Sequence, residues 1–244
     1  MSMGFLLFEV RRITRARKFW VVAFLFPTLM YLMQANLFSG EIAEKTGVDF
    51  SSYLLGSLAA FGALFVALNV GTRVAFERSS GWQRQLRLTP LTATSYLVAK
   101  LTTAMVVALP AITVVALTGF ALEGVRLPVL GWLHLVLGVW AGTLPFALLG
   151  VFIGQIASAE TVQVLTTVSH MLLGVLGGAL FPSVAFPQWM QVVSAVMPSR
   201  WLAEIGHSAF GGGQTALAAA ILAGWTVLLG GAVAWRYVRD SARV

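Results

Sequence analysis

The side chains best suited to acid–base or metal chemistry are His134, His170 and His207, and they lie far apart on different segments. A metal centre instead gathers its ligands at short spacings such as H-E-x-x-H, which the chain does not contain. Cysteine is absent, which removes thiolate nucleophiles, thiolate metal sites and disulfides. No Gly-rich loop followed by Lys and Ser or Thr is present, so ATP phosphates have no such cradle in this sequence. Acids are placed just as tellingly: Glu41, Glu77, Glu123 and Glu160 all fall near the ends of long apolar runs. Carriers driven by protons or sodium usually keep an acid at membrane depth. His170 is the one titratable group near the middle of an apolar run, so an ion-coupled carrier or channel, the alternative reading, would work through it. The chain is otherwise read as no enzyme, binding no cofactor or metal itself and drawing its power from elsewhere.

Polar side chains within the runs are few and patterned. Gln163, Thr166 or Thr167, His170, Gly174 and Gly178 recur three or four apart, hence on one helix face. In lipid such a face turns toward protein, and Gly174-x-x-x-Gly178 permits close approach of another helix. It either packs against a neighbour or lines a cavity. Asn69 and Arg73 stand one turn apart, with Phe61 and Phe65 further along a similar face. Arg73 can snorkel to the membrane surface, whereas the deeper Asn69 amide needs a partner. Gly138-x-x-x-Gly142 and Gly150-x-x-x-Gly154 are further small-residue pairs, and Pro110 and Pro145 are expected to kink their helices.

The elements that must position these residues follow from composition. Hydrophobic residues make up 58% and charged residues 10% of the 244, against roughly 45–50% and 25% in soluble domains. A chain this apolar needs lipid as its solvent. Six runs are long enough to span a bilayer: 19–39, 50–73, 101–122, 127–157, 161–181 and 214–235. The fourth exceeds the need and is expected to tilt, or to begin at the interface around Trp132 and His134. The net charge of +7 is not a nucleic-acid footprint, because the basic residues cluster at the ends of apolar runs. With both termini cytosolic, the inner side holds 13 Lys and Arg and the outer side 3. That asymmetry predicts a multi-pass protein with cytoplasmic ends.

Within this single transmembrane unit of residues 1–244, three segments are neither plain spans nor plain loops. In 1–18, Leu6, Val10 and Ile13 recur at helical spacing and Arg11, Arg15 and Lys18 line another face, as in an interfacial helix. In 77–92, Ser79, Ser80 and Gly81 read as turn and cap residues, Trp82–Leu88 as two helical turns, and Pro90 as their end. In 181–213, Pro182, Pro187 and Pro198 break an apolar stretch into two pieces too short to cross, with Ser199 as N-cap of the second. Trp189 and Trp201 suit interfacial depth, and a helical hairpin entering from outside fits.

Glu77-Arg78-x-x-Gly81, then Thr89-Pro90-Leu91 and a Tyr96-to-Lys100 lead into the next span, resembles the coupling segment of ABC-2 type permeases, the membrane subunits of ABCG-like exporters. The resemblance extends over nearly the whole chain, to the segment Met197-Pro198-Ser199-Arg200-Trp201-Leu202-x-Glu204. Where the family often has an acidic residue three after the loop glycine, this chain has Arg84, and where it often has Asn before the hairpin proline, this chain has Met197. The resemblance implies an all-α membrane subunit of an ATP-driven exporter in the plasma membrane. A second permease, identical or a sister, and two ABC ATPase subunits holding ATP and magnesium would complete it. Glu77, Arg78, Gly81, Trp82, Arg84, Gln85, Leu86, Leu88 and Pro90 would contact the ATPase, Glu77 pairing with a basic residue there. Phe61, Phe65, Asn69, Gln163, Thr167, His170 and Met171 would line the path of an amphipathic or hydrophobic substrate. The hairpin, with Pro187, Trp189, Pro198, Trp201 and Glu204, would gate it externally.

Overall fold

A computed structural model describes residues 7–9, 11–12, 15, 17–37, 49–82, 85, 93–183, 186–211 and 213–241. Its regular structure is helical throughout the described residues. After helical residues 7–9 and 11–12 come α1 (Arg17–Leu37), α2 (Phe50–Ser79), α3 (Ala93–Ala121), α4 (Val129–Gly142), α5 (Leu144–Ile156), α6 (Val162–Leu176), α7 (Gln188–Val196), α8 (Pro198–Ser208) and α9 (Thr215–Ser241).

Among the described residues, four stretches are long and apolar enough to cross a membrane: Phe50–Ser79, Thr94–Ala121, Val129–Ile156 and Thr215–Arg239. Shorter apolar helices cover Ala23–Gln34 and Val162–Leu176. The expected run 161–181 is therefore helical only to Leu176. Gly177 caps it, Gly178 takes φ 73°, and the Leu180 N–H donates to the Gly174 carbonyl at 2.8 Å. A left-handed backbone suits glycine, so Gly178 turns the chain and does not belong to the helical face on which Gly174 sits.

The bundle is organised around α2. Inside the protein, 89% of its most apolar stretch is buried, against 22% for α9 at the periphery. It packs on α5, α3, α8, α1 and α6. Small residues make so many neighbours possible. A Cβ at Gly150 of α5 would sit 2.7 Å from the Leu68 carbonyl oxygen, and one at Gly206 of α8 would sit 2.6 Å from that of Gly56. The backbones touch at these crossings. Around them Leu54, Leu55, Leu58, Leu64, Leu68, Ile112, Leu135 and Phe146 form a continuous buried core.

The long fourth run is bent. α4 stops at Gly142, Thr143 caps it, and α5 restarts with Pro145 in its first turn. Proline lacks an N–H and crowds the carbonyl four residues before it, which interrupts the helix there as expected. Thr143 Oγ1 donates to the Val139 carbonyl at 2.7 Å, keeping its buried hydroxyl satisfied. α3, in contrast, continues through Pro110 without interruption. The two short pieces after α6 form as expected, with one correction. Met197 occupies the N-cap of α8 and Pro198 its first turn. Ser199 lies inside the helix, buried, with its hydroxyl unpartnered among the described residues.

Candidate functional site

The loop between α2 and α3 leaves the bundle at a concentrated polar site. Lys100, in the first turns of α3, has no solvent exposure. Its Nζ donates to Glu77 Oε1 at 2.6 Å and to Glu9 Oε2 at 2.7 Å. Tyr96, one turn earlier, donates its hydroxyl to Glu77 Oε2 at 2.6 Å. Arg12 Nη1 reaches Glu77 Oε1 at 3.1 Å and lies 3.9 Å from Glu9 Oε1. Taking such charges out of water costs several kcal/mol each, and only close opposite charges with further hydrogen bonds offset it. The arrangement supplies both. It draws the N-terminal helical residues, the end of α2 and the start of α3 together.

Arg78, next along α2, points the other way. Its Nη1 donates to the Gly154 carbonyl at 3.2 Å and to that of Gln155. These are among the last carbonyls of α5, where a cation is favoured by the helix dipole. Gln155 in turn donates to the Val233 carbonyl of α9 at 3.4 Å. Adjacent residues thus fix the end of α2 to different helices, Glu77 to α3 and Arg78 to α5. Beyond them Gly81 takes φ 72°, where a Cβ would be strained. Gln85 N–H then donates to the Gly81 carbonyl at 3.4 Å, so the chain turns back into helix at Trp82 and Gln85.

Within the chain the Glu77 carboxylate is only 3% exposed and is bonded by Lys100, Tyr96 and Arg12. Arg78 likewise serves α5. Ser79, Ser80 and Gln85 are exposed. Arg84, Leu86, Leu88 and Pro90 lie outside the described residues. Tyr96 and Lys100 stand in the sequence reading only as a lead into the next span, with Lys100 counted as a loop charge, and Glu9 is not singled out there. A lone Glu9 among arginines was the available signal.

The expected substrate-lining residues separate into two groups. Phe61, Phe65 and His170 come together where α2 meets α6. The His170 ring stacks on Phe65 with centroids 4.5 Å apart, and its Nε2 lies 3.2 Å from the Phe65 carbonyl oxygen. That oxygen can only accept, so Nε2 carries the proton in this arrangement. Phe61 packs beside Phe65 at 6.2 Å, and a Cβ on Gly174 would come within 2.7 Å of its ring. Asn69 satisfies its amide inside α2, donating to the Phe65 carbonyl at 2.8 Å. Gln163, Thr167 and Met171 lie exposed on the outward side of α6, Met171 at 63%.

At the far end of α2, the pair α7–α8 is held by a second polar group. The His207 ring stacks on Tyr53 at 3.9 Å, and its Nε2 lies 2.8 Å from Ser57 Oγ. Glu204 Oε2 is 3.7 Å from His207 Nδ1, while Glu204 Oε1 accepts the Gln214 N–H at 3.1 Å. The neighbouring His207 holds the Glu204 carboxyl below the usual carboxylate range, helped by the Gln214 N–H and opposed by burial. Trp201 Nε1 donates to the Ala195 carbonyl of α7 at 2.8 Å, and His134 Nε2 lies 2.9 Å from Ser208 Oγ. Pro198 is buried, while Pro187 and Trp189 are exposed.

These features belong to a recognisable class. The sequence profile of the ABC-2 family transporter proteins matches residues 41–235. A relative from Bacillus subtilis (strain 168), named "Putative transport permease YvfS", is 28% identical over 231 residues, covering 94% of this chain and 86% of that protein. The all-helical structure with long apolar helices fits that assignment. This chain belongs to the ABC-2 family of transporter proteins.

Proposed function

We propose that this chain is the membrane-spanning subunit of an ATP-driven exporter, and that the loop between α2 and α3 receives the push of an ABC ATPase. Membership of the ABC-2 family supports a membrane permease working with an ABC ATPase. The observation that carries the finer reading is the bracket at the end of α2. Glu77 and Arg78 join the loop's root to the N-terminal residues, α3 and α5, so a force applied at residues 81–90 would reach several helices at once. The chain lies in the plasma membrane with six passes, counting α1 and α6, and with both termini and this loop in the cytosol. The charge asymmetry supports that orientation. Residues 1–18 rest at the inner interface, and 181–213 form the outer gate.

Two permeases, identical or sister, stand over two ATPase subunits, which hold the ATP and magnesium. The cargo is an amphipathic or hydrophobic molecule moving outward past the α2–α6 seam and the outward side of α6, where Gln163, Thr167 and Met171 lie. ATP binding and hydrolysis favour one of two arrangements of the bundle through different contacts at the loop. The contacts themselves come from Trp82, Arg84, Gln85, Leu86, Leu88 and Pro90, with Glu77 and Arg78 as their foundation.

Replacing residues 82–88 by a Gly-Ser stretch of equal length tests this. The variant should reach the membrane at wild-type level, yet fail to co-purify with a co-expressed ABC ATPase. Retained association would defeat the assignment. The ion-coupled alternative has no observation in its favour, since the buried His170 is held against Phe65 within the bundle.

A further inference from the structure

The N-terminal residues present two contrasting sides. Glu9 is turned inward and buried against Lys100. Leu7 and Phe8 are exposed, at 63% and 50%, and so are Arg11, Arg12 and Arg15. The Arg15 N–H donates to the Arg11 carbonyl at 3.2 Å, continuing the helical turn. Positions 8, 11, 12 and 15 then share one face. Between residues 7 and 15 the only acid is Glu9, which is occupied inside.

We infer that this outward face binds the phosphate of an anionic phospholipid, and that Arg12 joins the headgroup to the buried ion cluster. Two features select lipid over a soluble acidic partner. Leu7 and Phe8 stand exposed beside the arginines, where acyl chains can cover them. The exposed arginines, whose one neighbouring acid is turned inward, also complement an anionic headgroup in charge. A guanidinium has five N–H donors in a fork that suits phosphate, and Arg12 directs Nη1 to Glu77. The remaining donors can hold a phosphate oxygen. Lipid occupancy then clamps the N-terminal residues onto the root of the loop. The inference rests on the proposed placement of residues 1–18 at the inner interface but not on the ATPase, so its failure and that of the ATPase coupling are distinguishable.

The full chain purified in micelles holding equal phosphatidylglycerol and phosphatidylcholine tests it, with retained lipid counted by native mass spectrometry. The wild type should enrich phosphatidylglycerol. The R15Q variant should lower that enrichment about fivefold, the factor for one basic residue near an anionic surface, with its Tm in phosphatidylcholine unchanged. If that variant is unstable, R15M decides, with the same loss expected. Undiminished enrichment in the arginine variants would overturn the inference. So would an equal loss in R239Q, which removes a charge from α9, or an equal Tm rise with inorganic phosphate replacing the lipid.

Discussion

Lys100 shows how a charge can be structural inside an apolar protein. Its ammonium sits at hydrogen-bond distance from two carboxylates and 5.3 Å from the centroid of the Tyr96 ring, whose hydroxyl bonds the Glu77 carboxylate. Removing one partner from such a buried group leaves the others uncompensated, at a cost of about 3–5 kcal/mol. Lys100→Met should therefore lower the Tm in detergent steeply. Glu77→Gln should cost less, because the amide oxygen can still accept from Lys100 while its NH2 donates to the Tyr96 hydroxyl oxygen. The double variant should fall short of the sum of the two, as groups sharing one network are not additive; thermal melts that add fully would show the cluster to be no unit. The sequence displayed the motif Glu77-Arg78-x-x-Gly81 but not its direction. Which side a carboxylate faces depends on Glu9 and Lys100, 68 positions before it and 23 after it. His170 was ambiguous for the same reason, since its contact with Phe65 joins residues 105 positions apart.

At the scale of elements, apolar run length predicted most helices because lipid imposes it. What escaped were the ends. The left-handed Gly178 depends on a backbone angle that hydrophobicity does not encode, whereas the break at Pro145 was signalled by the proline itself. The α2–α5 crossing is the most exacting contact, since Gly71, Gly150 and Gly154 bring the backbones together. Gly150→Leu should separate the helices and abolish membrane accumulation. Gly224→Leu, in open space on α9, should be tolerated; immunoblots of membrane fractions compare them. The α7–α8 pair offers a pH test. Because Glu204 titrates lower in the folded protein than its ordinary 4.5, its stabilisation is complete above that pH and is lost as pH falls through the folded value. Amide protection across 198–214 should therefore decline below about pH 4.5 in the wild type. Glu204→Gln should lack that part of the decline. An identical decline in both would refute the link.

For the whole molecule, the arrangement has a mechanical sense. The dense polar cluster lies at the root of the α2–α3 loop, a second holds the short helix pair at the far end of α2, and the buried length of α2 connects them. A family of transporters that rely on a separate ATPase needs such a path from one membrane face to the other. The claim on which this depends is that the root of the loop faces the cytosol. The chain has no cysteine, so Ser80→Cys and Gln188→Cys each introduce a single exposed thiol at opposite ends. With a membrane-impermeant maleimide, intact cells should label Gln188→Cys, and Ser80→Cys should react only after the cells are opened. Labelling of Ser80→Cys in intact cells would contradict the orientation and the ATPase coupling built on it.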